Sequence, residues 1–180
     1  MIAKAADYFI NILNSCLKKQ PICRIALSGG STPEPLFQML GNSPHADHLD
    51  WNRIHFFWSD ERMVPSDHPE SNYRLAFDTL IKPRNIPEAN LHRMPGELEP
   101  EQAAANASID LEKHFQPALP RFDLILLGIG SDGHTASLFP ETEAVLPPLP
   151  QSWITANFVP NFDSWRLTFT ERLINLGQEI

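Results

Sequence analysis

The chain has 180 residues, 42% of them apolar and 20% charged, with a formal charge of -8, which describes one globular domain with a sizeable core. The acidic balance and the absence of any Lys/Arg cluster exclude a nucleic-acid footprint. No stretch approaches the roughly 20 apolar residues of a membrane span, and the opening Met1-Ile2-Ala3-Lys4-Ala5-Ala6-Asp7 lacks the basic and apolar regions of a secretory leader. The two cysteines, Cys16 and Cys23, lack Cys-x-x-Cys spacing, which fits a reduced cytoplasmic setting and not a zinc site.

Ala6, Ile10, Leu13 and Leu17 recur at helical spacing, and Pro21 ends that pattern before the short apolar strand Ile22 to Leu27. Ser28-Gly29-Gly30-Ser31-Thr32-Pro33-Glu34 follows, with Thr32 read as an N-cap and Pro33 as the first position of a helix running to about Leu40. Ile54 to Ser59 is a second apolar strand, ended by Asp60-Glu61-Arg62, and Ser71-Asn72 caps a helix through about Ile81. Residues 99–116 carry an Ala-rich helical pattern, and Phe122 to Leu127 is a third strand, leading into Gly128-Ile129-Gly130-Ser131-Asp132-Gly133-His134.

Prolines crowd residues 140–160, which read as loop with a short strand at Trp153 to Ala156. Trp165 to Thr170 alternates as a strand does, and Glu171 to Ile180 begins a helix-like pattern. Strands alternating with helices at this spacing predict a doubly wound, mainly parallel α/β sheet with helices on both faces, in one domain over residues 1–180.

In such a sheet the strand ends after residues 27, 59 and 127 share one edge, so three loops converge on a pocket. The first loop offers consecutive backbone N–H groups, hydroxyls and a helix N-terminus, a cradle for phosphate or a sugar oxygen, or else a plain capped turn. The second offers Arg62, whose fork can bind a phosphate bidentately, with Asp60 and Glu61 able to orient it; the alternative is a solvated charge cluster. The third carries His134. An ordinary imidazole, titrating near about 6.5, can take a proton from water near neutrality, whereas a turn histidine merely closes its own loop. Asp132 either orients that ring or caps the turn.

Three competing chemistries fit poorly. Gly128, Gly130 and Gly133 satisfy a Gly-x-Gly-x-x-Gly pattern, but the segment runs at once into Pro140 without the helix, strand and acidic residue of a dinucleotide fold. Neither Ser131 nor Ser137 sits in a nucleophile elbow. No His-x-His or His-x-x-x-His spacing supplies two metal ligands from one element, and His45, His48, His68, His92 and His114 read as turn histidines, with His55 packed in its strand.

The segments Ser28-Gly-Gly-Ser-Thr-Pro33, Ser59-Asp-Glu-Arg-Met-Val-Pro65 with Ser71-Asn72, and Gly128-Ile-Gly-Ser-Asp-Gly-His-Thr-Ala-Ser-Leu-Phe-Pro140 resemble the 6-phosphogluconolactonases. That resemblance implies the fold shared with glucosamine-6-phosphate deaminases and ribose-5-phosphate isomerases. It also implies hydrolysis of 6-phosphogluconolactone in the pentose phosphate pathway, with a phosphorylated sugar lactone as small-molecule partner, no nucleic acid or membrane partner, and no cofactor. By position it makes His134 the base that activates water, and makes Gly29, Gly30, Ser31, Thr32, Asp60 and Arg62, with Gly130 and Asp132, the substrate-binding set. The deaminases share the Asp-Gly-His turn but continue with Phe-Asn-Glu-Pro, where this chain has Ser137-Leu138-Phe139-Pro140. Family members continue past Arg166-Leu-Thr-Phe-Thr170 with a helix, a strand and a glycine-lysine segment, and begin with a strand before the first helix. A chain without these is expected to be a trimmed or naturally shortened form, or one whose edge another chain completes, and the alternative function is a phosphosugar-binding module without turnover.

Overall fold

The computed structural model describes residues 1–180. Helix α1 (Ile2–Lys19) buries Ala6, Phe9, Ile10, Leu13 and Cys16 along one face, the i, i+3, i+4, i+7 stripe of an amphipathic helix. Strand β1 (Cys23–Leu27) follows, then α2 (Glu34–Asn42), β2 (Ile54–Trp58) and β3 (Asp60–Arg62). Helix α3 (Asn72–Ala76), β4 (Leu91–His92), α4 (Pro100–Phe115), β5 (Leu124–Ile125), the hairpin β6 (Ile154–Val159) and β7 (Ser164–Phe169), and the short α5 (Glu171–Ile174) complete the chain. No helix is long and apolar enough to cross a membrane.

The central sheet has the order β4-β2-β1-β5, and all its pairs are parallel, with Cys23 opposite Ile54 and Ile25 opposite Leu124. Its two faces bury different residues, as period-two geometry requires. Ile25, Leu27, Ile54, Phe56 and Trp58 pack with α1, α2 and the segment after α3. Ala26, Phe57 and Ile125 pack with α4 and the β6-β7 hairpin. Helix α4 presents Ala103, Ala104, Ala107 and Leu111 to this second core, and its alanines let the helix lie close to β6.

A second sheet of order β3-β7-β6 is antiparallel, so the doubly wound parallel core carries an antiparallel flank that the alternation alone did not reveal. Residues 60–62, expected to end a strand, form one: Asp60 pairs with Thr168 and Arg62 with Arg166. The pivot is Ser59, whose N–H donates to the Leu27 carbonyl of the parallel sheet at 2.8 Å and whose carbonyl accepts from Phe169 N–H at 2.8 Å.

Other boundaries shift for local reasons. Helix α2 starts at Glu34 with Pro33 at its N-cap and no side-chain cap, so Thr32 does not close the helix; it belongs to the preceding turn. Ser71 does cap α3, accepting from Arg74 N–H at 3.2 Å, and the helix then widens to a π-turn over Phe77–Ile81. Only Glu171–Ile174 is helical in the final segment. Beyond it, Gln178 N–H donates to Phe122 O and Ile125 N–H donates to Glu179 O, each at 2.9 Å, so the last residues lie along the outer edge of β5.

Leu13 is fully buried between α1 and the sheet. Leu13→Ala is expected to lower unfolding free energy by about 2–5 kcal/mol, read as a drop in the urea midpoint with an unchanged slope.

Candidate active site

The parallel order carries the ends of β1, β2 and β5 to one edge, and the loops that follow them enclose a cleft of about 530 Å³. Ser28 to Thr32 form one wall, Asp60, Arg62 and Asn72 a second, and Gly128 to Gly130 with His134 a third. Ile2, Leu36, Leu126 and Leu127 give it an apolar side.

In the first loop the N–H groups of Gly29, Gly30, Ser31 and Thr32 make no hydrogen bond within the chain, and α2 begins directly behind them. That arrangement leaves donors for an anion. Gly29 is required by its neighbour: a Cβ there would stand 1.7 Å from the Asn72 Oδ1. Asn72 is itself fixed, because its Nδ2 donates to the Asp60 carbonyl at 3.0 Å and to Asp60 Oδ1 at 3.3 Å.

The second loop holds two buried carboxylates with different tasks. Glu61 accepts from the N–H groups of Arg62, Asn72 and Tyr73, each at 2.8 Å, and from Ser71 Oγ at 3.1 Å. It therefore ties β3 to the first turn of α3. Asp60 accepts from Ser137 Oγ at 2.8 Å and so ties β3 to the third loop. Burial pushes the Asp60 carboxyl above its ordinary range, opposed by the Ser137 hydrogen bond and by the positive charges of Arg62 and Arg166.

Arg62 donates from Nη1 to the Glu70 carbonyl at 2.6 Å and still lines the cleft. Arg166 lies opposite it in the β3-β7 register. Burial, and then the neighbouring Arg62, lower the Arg166 pKa, so two guanidinium groups crowd one corner without a carboxylate clamped between them.

In the third loop His134 Nδ1 meets Asp132 Oδ1 at 2.5 Å. The same oxygen accepts from His134 N–H at 3.3 Å, so Asp132 both orients the ring and caps the turn. Donation from His134 holds the Asp132 carboxyl below its usual range. A carboxylate accepts only, so in the neutral ring this contact places the proton on Nδ1 and the lone pair on Nε2. The ring stacks on Phe139 at 4.1 Å between centroids, and a Cβ at Gly130 would stand 2.2 Å from Nδ1. Gly130 thus makes room for the imidazole.

Gly29, Gly30, Ser31, Thr32, Asp60, Arg62, Gly130 and His134 all line this cleft, while Asp132 stands behind His134 and not on the wall. Asn72, Ser137, Phe139 and Arg166 join the site beyond the residues to which the sequence points. Asn72 and Ser137 stand inside motifs read from the sequence, but their role depends on contacts 12 and 77 residues away. For Arg166 the only sequence signal is a charge in a β-alternating segment.

The chain matches the family described as glucosamine-6-phosphate isomerases/6-phosphogluconolactonase over residues 1–180, and it belongs to that family. Within it, the similarity runs to lactonases. It is 47% identical to the 6-phosphogluconolactonase of Synechocystis over 161 residues, covering 87% of this chain and 63% of that protein. It is 41% identical to the 6-phosphogluconolactonase of Treponema pallidum, covering 97% of this chain and 72% of that protein. The crystal structure of 6-phosphogluconolactonase from Thermotoga maritima superposes with a TM-score of 0.85 at 30% identity, covering 98% of this chain and 76% of that one. The chain thus spans somewhat under two thirds to about three quarters of these relatives.

Because burial raises the folded-state pKa of Asp60, the folded chain holds this proton more tightly than the unfolded one. Ionisation therefore subtracts stability as pH rises from the ordinary value of 3.8 through the raised folded value. Asp60→Asn carries no such proton, so its urea midpoint relative to the parent is expected to improve across that window; a constant difference between pH 3.5 and 7 would contradict the raised value.

Proposed function

We propose that the protein hydrolyses 6-phosphogluconolactone to 6-phosphogluconate in the cytoplasm, with His134 as general base. The observation that carries this reading is the Asp132-His134 pair, joined at 2.5 Å on the cleft rim, facing a loop of free N–H donors and Arg62 across the same cavity. The relatives bear the name of that reaction.

The phosphate is anchored by the N–H groups of Gly29, Gly30, Ser31 and Thr32 and by Arg62, since a guanidinium fork matches phosphate oxygens and each sheltered charge-assisted bond is worth about 1.5–3 kcal/mol. Asp60 holds the wall on which Arg62 stands and faces the sugar. Water then sits between Nε2 of His134 and the lactone carbonyl carbon. His134 takes one proton as the water oxygen attacks, and Asp132 steadies the imidazolium that forms. The carbonyl oxygen becomes an oxyanion, stabilised by backbone donors of the glycine loops. When the tetrahedral intermediate collapses, the ring oxygen leaves and receives the proton from His134 Nε2. His134 ends neutral, as it began, and the new carboxylic acid ionises to the carboxylate by losing its proton to solvent.

The test follows freshly generated 6-phosphogluconolactone with the parent, its variants and buffer. His134→Ala is expected to reduce kcat about 10²-fold or more with substrate affinity largely kept. Asp132→Asn is expected to reduce kcat at least about tenfold, and Arg62→Ala to raise KM chiefly. A parent no faster than buffer would overturn the activity, and a fully active His134→Ala would overturn the base.

A further inference from the structure

Away from the cleft, on the α4 side of the central sheet, three histidines from three elements come together. His55 stands on β2, His92 on β4 and His114 in the last turn of α4, so His92 and His114 are not the turn residues that the sequence suggested. His55 Nδ1 and His92 Nε2 are hydrogen-bonded at 2.9 Å, the two rings meeting edge to edge with centroids 5.2 Å apart and planes inclined by 4°. The His92 and His114 ring centroids are 3.7 Å apart. One nitrogen from each ring falls within 4.8 Å of the others. Asp110, one helical turn before His114, places a carboxylate oxygen 3.6 Å from His92 Nδ1 and another 3.6 Å from His114 Nε2. None of these residues lines the cleft.

We propose that His55, His92 and His114 form a binding site for a divalent metal ion of the zinc class, with Asp110 orienting His92 and His114. Two nitrogens sharing a tetrahedral zinc at its usual bond length stand about 3.3 Å apart. The His55-His92 pair is within a few tenths of an ångström of that spacing, and a bound ion would replace the proton of their hydrogen bond, the two rings turning to aim their lone pairs at it. Imidazole nitrogens suit zinc, cobalt, nickel and copper, and a carboxylate on the far nitrogen of a ligating ring is the usual means of fixing its tautomer. A proton on Nδ1 of His92, facing Asp110, leaves Nε2 with its lone pair toward His55.

Arg24 is stacked on Phe115 at 5.1 Å, and its charge opposes a cation here, an opposition that Asp110 offsets. His92 is 6% exposed while His114 and Asp110 are 32% and 48% exposed, so an ion and its remaining water ligand would enter from the α4 side. Sequence spacing hid the site because each ring comes from a different element.

The experiment titrates the purified full chain with Zn²⁺ against a chromophoric chelator, and with Co²⁺ while recording visible absorption. One ion per chain and the intense d–d bands of four-coordinate cobalt are expected. His114→Gln, on an accessible helix turn, is expected to weaken Zn²⁺ binding about tenfold or more, and Asp110→Asn about tenfold. The double variant Cys16→Ser, Cys23→Ser and the variant His134→Ala are expected to bind as the parent does. No stoichiometric binding, an unchanged affinity in His114→Gln, or a loss of binding in the cysteine or His134 variants would each overturn the site.

Discussion

Two adjacent carboxylates, Asp60 and Glu61, hold the cleft together. Each is buried, and each is placed among donors supplied by a different part of the chain: Glu61 among the first N–H groups of α3, Asp60 against Ser137 and Asn72. A buried carboxylate without partners costs several kcal/mol, so the loops that carry these donors cannot drift without exposing that cost. The β3 segment thereby sets the positions of Asn72, Arg62 and the third loop together. Gly29 can touch Asn72 only because Asn72 is fixed in this way.

The alternation of apolar runs with helical stripes made the parallel core legible from residues alone. Ile25, Ala26 and Leu27 stand in a short apolar run that reads as a strand, and all three are buried within β1. The antiparallel flank was less legible because Asp60-Glu61-Arg62 looks like a polar turn; it pairs with β7 through backbone bonds that carry no compositional signature. Likewise Thr32 has the chemistry of a cap, but Pro33 occupies that position.

The site was readable to the extent that it lies in local loops. Gly130, Asp132 and His134 fall within five residues, and their hydrogen bonds are local, so a turn motif conveys them. Arg166 and Phe139 depend on register and on ring stacking, which one sequence does not encode in spacing. The histidine cluster is the extreme case, since β2, β4 and α4 each contribute one ring.

Ser59 belongs to two sheets at once, donating to one and accepting from the other. Because both bonds use its backbone, the parallel and antiparallel sheets meet in a single residue, and neither can slip along its strands there without breaking a hydrogen bond to the other.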